Sequence, residues 1–306
     1  MIIGIIYLDK KICPYVTRVQ LQKMILSLIL IFWSQLIGTA LSEGEYLPGD
    51  EFQDCANCPV MIVVPSGSFS MGGPPVDQGR PYTEGELRPV HIPKHFASGK
   101  FEITYKEWDA CVIDKQCPEA KKDEWSDSTH PVVNISWKEA FQYTKWLSKK
   151  TKRPYRLLTE AEWEYVATGG ISRARFFGID RQKVCRFGNV YDYTAEEVLD
   201  YGLEVLPCND RHGFSAPIGS FEPNHFGLYD TLGNVWEWTE DCQAIMWRSA
   251  PTDASARVDG RCTHRAYRGG SWLSHPPKYL QIPDRYKYLE AREIDLGFRI
   301  ALTLYP

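Results

Sequence analysis

Between Phe226 and Arg299 the chain reads FGLYDTLGNVWEWTEDC, then AYRGGSW, then DLGFR, and nothing in that run has a helical period. Gly227, Gly233, Gly269, Gly270 and Gly297 interrupt it, and glycine takes positive φ or lets another backbone approach closely. Trp236, Trp238 and Trp272 each bring a large apolar area and an indole N–H that needs an acceptor once buried. A segment of this kind is built from packed loops around a site. It rules out a helical bundle for the last third of the protein.

The rest of the chain is more regular. Met61–Val64 is a β-branched run ended by Pro65, and Gly67–Gly72 alternates polar and apolar residues as a half-buried strand does. Gly72–Pro89, rich in Pro, Gly and charge, reads as a surface loop. Three helix starts share one chemistry: Thr104–Glu107, Ser136–Glu139 and Thr159–Glu162 are capping boxes, in which hydroxyl and glutamate satisfy each other's orphan amides. Trp108, Cys111 and Val112 form the apolar face of the first helix. Trp137, Ala140, Phe141, Thr144 and Leu147 form that of the second. Gly169-Gly170 stops the third. Beyond Gly170 turns recur every few residues and no long periodic run appears. The expected fold class is α+β: one irregular domain over 59–306, short on regular structure and stapled by disulfides.

Met24–Leu41 is apolar, follows Lys10, Lys11, Arg18 and Lys23, and exits through Ala40 and Ser42. That is the layout of a secretory signal peptide, so residues 1–42 are read as leader with cleavage near Ser42 and 43–58 as a tether. The alternative is an uncleaved anchor, since the run approaches the roughly 20 residues that span a bilayer; Met24 is also a candidate start. Export implies a periplasmic or secreted protein, touching a membrane only if the leader stays. The leader holds four basic residues and Asp9, so its removal takes the formal charge from −4 to −7. No basic run remains, which argues against a nucleic-acid partner.

Eight of the nine cysteines lie beyond the leader: Cys55, Cys58, Cys111, Cys117, Cys185, Cys208, Cys242 and Cys262. An even count in an exported chain points to disulfides, and pairing in sequence order is the most economical of the many connectivities. A redox role for Cys55 and Cys58 ranks behind a structural one, because no βαβ context surrounds them. A zinc site from these cysteines lacks a second set of ligands at the right spacing.

VPSGSFSMGG, FEITYKEW, HPVVNISWKEAFQYTKWLS, YRLLTEAEWEYVATGG, the GLYDTLGNVWEWTEDC block and RGGSW…GFR follow one another in an order and spacing that resemble the formylglycine-generating enzyme, or sulfatase-modifying factor, family. The resemblance covers nearly the whole chain after the leader. It implies a C-type-lectin-like fold and an oxidase that converts a cysteine of a protein substrate to formylglycine with O2 and copper held by two cysteines. Those two positions fall on Ser274 and Tyr279, and no cysteine occurs after Cys262. A thiolate pair captures soft Cu(I); a serine hydroxyl and a phenol do not. Copper is therefore not expected, nor is the standard reaction.

Ser271 matches the family's active-site serine, Trp236 a pocket tryptophan and His275 the histidine after the first lost cysteine. Calcium is expected as a structural ion. One site falls on Asp230, the carbonyls of Gly233 and Val235, and Glu237, the hard oxygen set that Ca²⁺ takes. A second falls on Asn189 and the carbonyls of Val190 and Phe214, where His212 replaces the family's aspartate; either Asp210, two residues earlier, substitutes by a shifted loop or this site is empty. The resemblance leaves two readings of function. One is a changed oxidative maturation of a protein or peptide, as in bacterial relatives that lack the cysteines and act in pyoverdine maturation in the periplasm. The other is a non-catalytic lectin-like module that binds peptide or carbohydrate. A hydrolase has no support: GxSxG, HExxH and P-loop motifs are absent, and Glu240 and Asp241 are expected to hydrogen-bond neighbouring loops.

Overall fold

Three sheets and five helices are joined by long irregular connections in the structure, a computed structural model that describes residues 46–72, 87–171, 180–243, 251–258, 261–275 and 285–304. The segment 1–42, expected to be a leader, and Tyr279 lie outside the described residues. Among the described residues no helix is long and apolar enough to cross a membrane.

The compact unit begins at Tyr46, so most of the expected tether belongs to the fold. Its strand β1 (Glu51–Phe52) edges a five-stranded antiparallel sheet with β2 (Met61–Val64), β5 (Phe96–Gly99), β11 (Ile300–Thr303) and β6 (Tyr155–Leu157), in the order β1-β2-β5-β11-β6. This sheet has no solvent face. Met61, Leu157, Ile300 and Leu302 point into one core, and Ile62, Val64, Phe96 and Ala301 into another. Successive side chains on a strand leave opposite faces, so both alternation sets are apolar.

The first core holds α1 (Tyr105–Ile113) and α2 (Trp137–Thr151), with Trp108 stacked on Tyr143 at 5.8 Å and Phe298 edge-on to both. The second holds α3 (Glu160–Ala167) against the hairpin of β3 (Gly67–Met71) and β4 (Arg88–Ile92). Arg88 and Pro89, expected in a surface loop, open β4, whose residue Pro89 sits on a two-stranded sheet where a missing amide donor is tolerated. All three capping boxes form, with both hydrogen bonds of each present; such caps contribute about 1 kcal/mol apiece. On α2 the buried stripe adds Tyr143 and Trp146, while Phe141 is half-buried and stacks on Trp137. The helix α3 stops where Gly169 and Gly170 take φ of +63° and +75°.

The C-terminal third is more regular than its sequence suggests. Two eight-residue strands, β7 (Trp236–Gln243) and β8 (Arg261–Arg268), pair antiparallel, flanked by β9 (Arg285–Tyr288) and a parallel β10 (Leu296–Phe298). Strand β7 is buried on both faces over most of its length and carries Glu237 and Asp241 inward. Polar-apolar alternation is thereby lost, which hides the strand from a periodicity reading. The short helices α4 (Val184–Phe187) and α5 (Tyr193–Leu199) frame a small third core. The four disulfides pair in sequence order: Cys55–Cys58, Cys111–Cys117, Cys185–Cys208 and Cys242–Cys262.

Candidate functional site

The loop from Asp230 to Glu237 is held by left-handed backbone and buried charge. Asp230, Gly233 and Asn234 take φ of +56°, +74° and +56°; Asp and Asn are the side chains that best tolerate that region. Gly233 is required by approach as well, because a Cβ there would lie 1.9 Å from the carbonyl oxygen of Asn189, to which it is bridged. Asn234 then ties three segments: its Oδ1 accepts from the amide of Ala216 at 2.8 Å, and its Nδ2 donates to Glu102 at 2.6 Å.

Glu237 is wholly buried, and its carboxylate is held by Arg299, whose Nη2 donates to Oε1 at 2.8 Å and whose Nε lies 3.1 Å from Oε2. Trp163 adds an indole N–H at 2.6 Å. Arg299 also donates to the carbonyls of Gly99 and Tyr229, so one guanidinium knits three segments. Three carboxylates, Glu102, Asp230 and Glu237, surround this single buried cation. Burial, reinforced by Asp230 and Glu237, pushes Glu102 well above the usual carboxylate range. Burial raises Asp230 to about 6. Glu102 lies in the FEITYKEW block, but the sequence alone shows no role for it; the fold brings it here from the segment before α1.

The expected calcium ligands can be tested on this geometry. Asp230 Oδ2 accepts from Gly219, but its Oδ1 is buried without a partner among the described residues. A buried unpaired carboxylate oxygen beside an excess of negative charge suits a hard cation. Glu237 is otherwise occupied, both of its oxygens being used by Arg299 and Trp163. At the second expected site Asn189 Oδ1 is likewise buried and without a partner, while its Nδ2 donates to the Phe214 carbonyl at 2.7 Å. Asp210 accepts from the amides of Val190 and His212, both at 2.9 Å, which is loop-closing chemistry. Asp192 sits beside it, and burial together with that neighbour raises Asp210 to about 7. Cys185 lies within reach of both aspartates, but its sulfur is in the disulfide to Cys208.

The Gly269–His275 turn brings together most of the other residues singled out. Ser271 Oγ donates to Asp295 at 2.7 Å, and the backbone carbonyl of Asp295 accepts from the amide of Trp236 at 2.8 Å. Ser274 Oγ accepts from the Ser271 amide at 2.8 Å and closes the turn on itself. Ser271 and Ser274 are buried, and Trp236 packs edge-on against Tyr267 with centroids 5.0 Å apart. His275 points its Nδ1 at the Leu273 carbonyl, 2.9 Å away, a contact that makes Nδ1 the protonated nitrogen, and its ring lies 5.6 Å from that of Tyr191. Asp295, the residue that organises this turn, stands just before the GFR motif; burial raises its carboxyl and the Ser271 hydroxyl partly offsets that. The chemistry available is hydrogen bonding by hydroxyls and one imidazole.

Residues 48–304 match the family described as sulfatase-modifying factor enzyme 1-like domain. The formylglycine-generating enzyme of Streptomyces coelicolor is 30% identical over 289 residues, spanning 78% of this chain and 88% of its own. A mouse relative named inactive C-alpha-formylglycine-generating enzyme 2 is 29% identical over 269 residues, 71% of this chain and 76% of its own. Among solved structures, PvdO from Pseudomonas aeruginosa superposes with a TM-score of 0.74 at 32% identity, covering 84% of this chain and 99% of that one. The fold is the C-type-lectin-like fold of these proteins, mixed in helix and sheet. With the family's motifs set on the family's fold from end to end, this chain belongs to the sulfatase-modifying factor family.

Proposed function

We propose that this protein is exported and engages a protein or peptide partner at the Gly269–His275 turn without the copper dithiolate of the formylglycine-generating reaction. One observation carries this reading: at the position of the first family cysteine, Ser274 makes a hydrogen bond to the turn's own backbone, and Ser271 is bonded to Asp295. A soft metal has no thiolate to bind there, and the second position, Tyr279, is a phenol. The family's relatives supply the partner class, since formylglycine generation acts on a protein. Structural calcium at Asp230 belongs to the same proposal, supported by the unpaired Oδ1 and the excess of buried carboxylate around Arg299.

The test incubates purified protein with copper, O2 and a peptide carrying Cys-x-Pro-x-Arg, followed by mass spectrometry and calorimetry. No aldehyde is expected. Conversion of the cysteine would overturn the reading and demand a cysteine-free centre. A second reading, changed oxidative maturation, is favoured by the likeness to PvdO over 84% of the chain. It predicts a mass change in a bound peptide substrate, where simple binding predicts none.

A further inference from the structure

A cavity of about 340 Å³ lies away from the Gly269 turn, between the β4–β5 connection, the start of α3 and the segment 253–256. It is a built cavity. Thr159, the N-cap of α3, donates to the Ala254 carbonyl at 2.9 Å, and the amide of Arg257 donates to Asp241 at 2.8 Å, so the segment is strapped at both ends. Arg88 and His91 hold the carbonyls of Pro251 and Thr252 from the other side.

Among the described residues two charged groups of its lining make no hydrogen bond, Lys94 on the exposed rim and Glu240 further in. Arg156 is forked onto Glu162, at 2.6 and 2.7 Å, and its charge, with those of Lys145 and Arg265, also reaches Glu240 without a hydrogen bond to it. His95 accepts from the amide of Ser66 at 2.8 Å. Asp253 sits at the exposed mouth, bonded to Ser255, and Lys94 is exposed on the rim. Glu240 also lines the cavity and is only partly exposed, yet its carboxylate makes no hydrogen bond among the described residues. Its backbone is fully used, the amide donating to Leu158 and the carbonyl accepting from Arg265. Burial raises its carboxyl above the usual range.

The local backbone accounts for this presentation. Between the pairs Trp238↔Tyr267 and Cys242↔Arg265 the register of β7 slips against β8, and Glu240 and Asp241 lie in the slipped stretch. A bulge re-aims side chains, and here it sends two neighbouring acids to different places. Asp241 turns inward to the amides of Glu160 and Arg257. Glu240 turns to the cavity. The expectation that both would hydrogen-bond surrounding Gly-rich loops fails for Glu240, and Asp241 bonds instead the first residue of α3 and the 253–258 segment.

The geometry points to a recognition pocket for a basic side chain, the ammonium of a lysine or the guanidinium of an arginine on a peptide partner, with Glu240 as its counter-ion and Asp253 at its mouth. A half-buried carboxylate without a donor is stabilised by any cation that brings N–H groups to it. A cavity of this volume admits one side chain but not a folded element. The pocket is independent of what happens at Ser271 and needs no cysteine or copper in its ligand.

Calorimetric or NMR titration of the full protein with N-acetyl-lysine amide and N-acetyl-arginine amide, against N-acetyl-norleucine amide, tests it. One of the basic probes is expected to bind in the millimolar range and the norleucine control at least tenfold more weakly. Glu240→Gln, nearly isosteric, should weaken the basic probe about tenfold or more, and Asp253→Asn about two- to threefold, the second variant serving if the first fails to fold. Equal binding of all three probes, no binding of either basic probe, or unchanged affinity in the folded variants would overturn the assignment.

Discussion

The Asp230–Glu237 loop and the Gly269–His275 turn are neighbours in the fold, joined by the hydrogen bond from the Gly233 amide to the Gly269 carbonyl, and they are held in opposite ways. The first is held by ionisable groups taken out of water: the Glu237–Arg299 ion pair, Glu102 on Asn234, and Asp230 with an oxygen left over. The second is held by hydroxyls: Ser271 on Asp295 and Ser274 on its own turn. Breaking a buried ion pair leaves an uncompensated charge, whereas removing a hydroxyl leaves a smaller deficit. In this chain the Asp230–Glu237 loop is therefore the element that tolerates less change. The Gly269–His275 turn is held by interactions that other residue types can replace.

Replacing Arg299 with Leu should be the largest effect, because it strands Glu237 and removes the only buried cation of the cluster. About 3–5 kcal/mol of lost stability is expected, read from the urea midpoint. A loss below 1 kcal/mol would mean that the loop does not depend on the pair. Calcium comes next. At 100 times its Kd it should add about 2.7 kcal/mol to the wild type, a Tm rise of at least about 5 °C, and Asp230→Ala should abolish the response. An equal response in the variant would remove Asp230 from the ligand set.

The pH dependence follows from the same buried acids. Burial raises Asp230 to about 6, and Asp210 and Asp241 to about 7. Each keeps its proton to higher pH when folded than in the unfolded chain, where aspartate titrates near about 4. Their stabilising contribution is complete below that value and is lost as pH rises through about 6 to 7. Calcium-free protein should therefore show a higher denaturation midpoint at pH 5 than at pH 8, by about 2 kcal/mol or more; calcium should narrow the gap by holding Asp230 ionised. Ser271→Ala should cost about 1–2 kcal/mol by leaving Asp295 buried without its hydroxyl. The double change Ser274→Cys and Tyr279→Cys should alter stability least, yet restore tight Cu(I) binding measurable by competition with a chelator. Failure to bind copper would show that more than the two thiols has been lost from the turn.

Much of this was readable before any coordinates. The capping boxes declare α1, α2 and α3 because their chemistry is local, confined to four residues each. The disulfides follow sequence order because each closes a short segment between neighbouring elements. By contrast β7 and β8 were hidden, since acids enter the core with Trp236 and Trp238 and erase the alternation. Glu102 and Asp295 lie within FEITYKEW and DLGFR and Tyr191 in no motif, but none of the three shows a role in the sequence. Each acquires its place through a partner far along the chain: Asn234, Ser271 and His275.

By itself the sequence determined the family, the helix starts and the absence of a thiolate pair after Gly270, and it made sequential cysteine pairing the economical choice without fixing it. These are properties of residue identity and short spacing, which need no third dimension. Only the tertiary structure decided that Glu237 belongs to Arg299, that Ser274 closes its own turn, and that Glu240 faces a cavity while Asp241 beside it faces the core. Those outcomes depend on which distant groups are buried together, and burial is what makes an unpaired charge or donor costly enough to fix a partner.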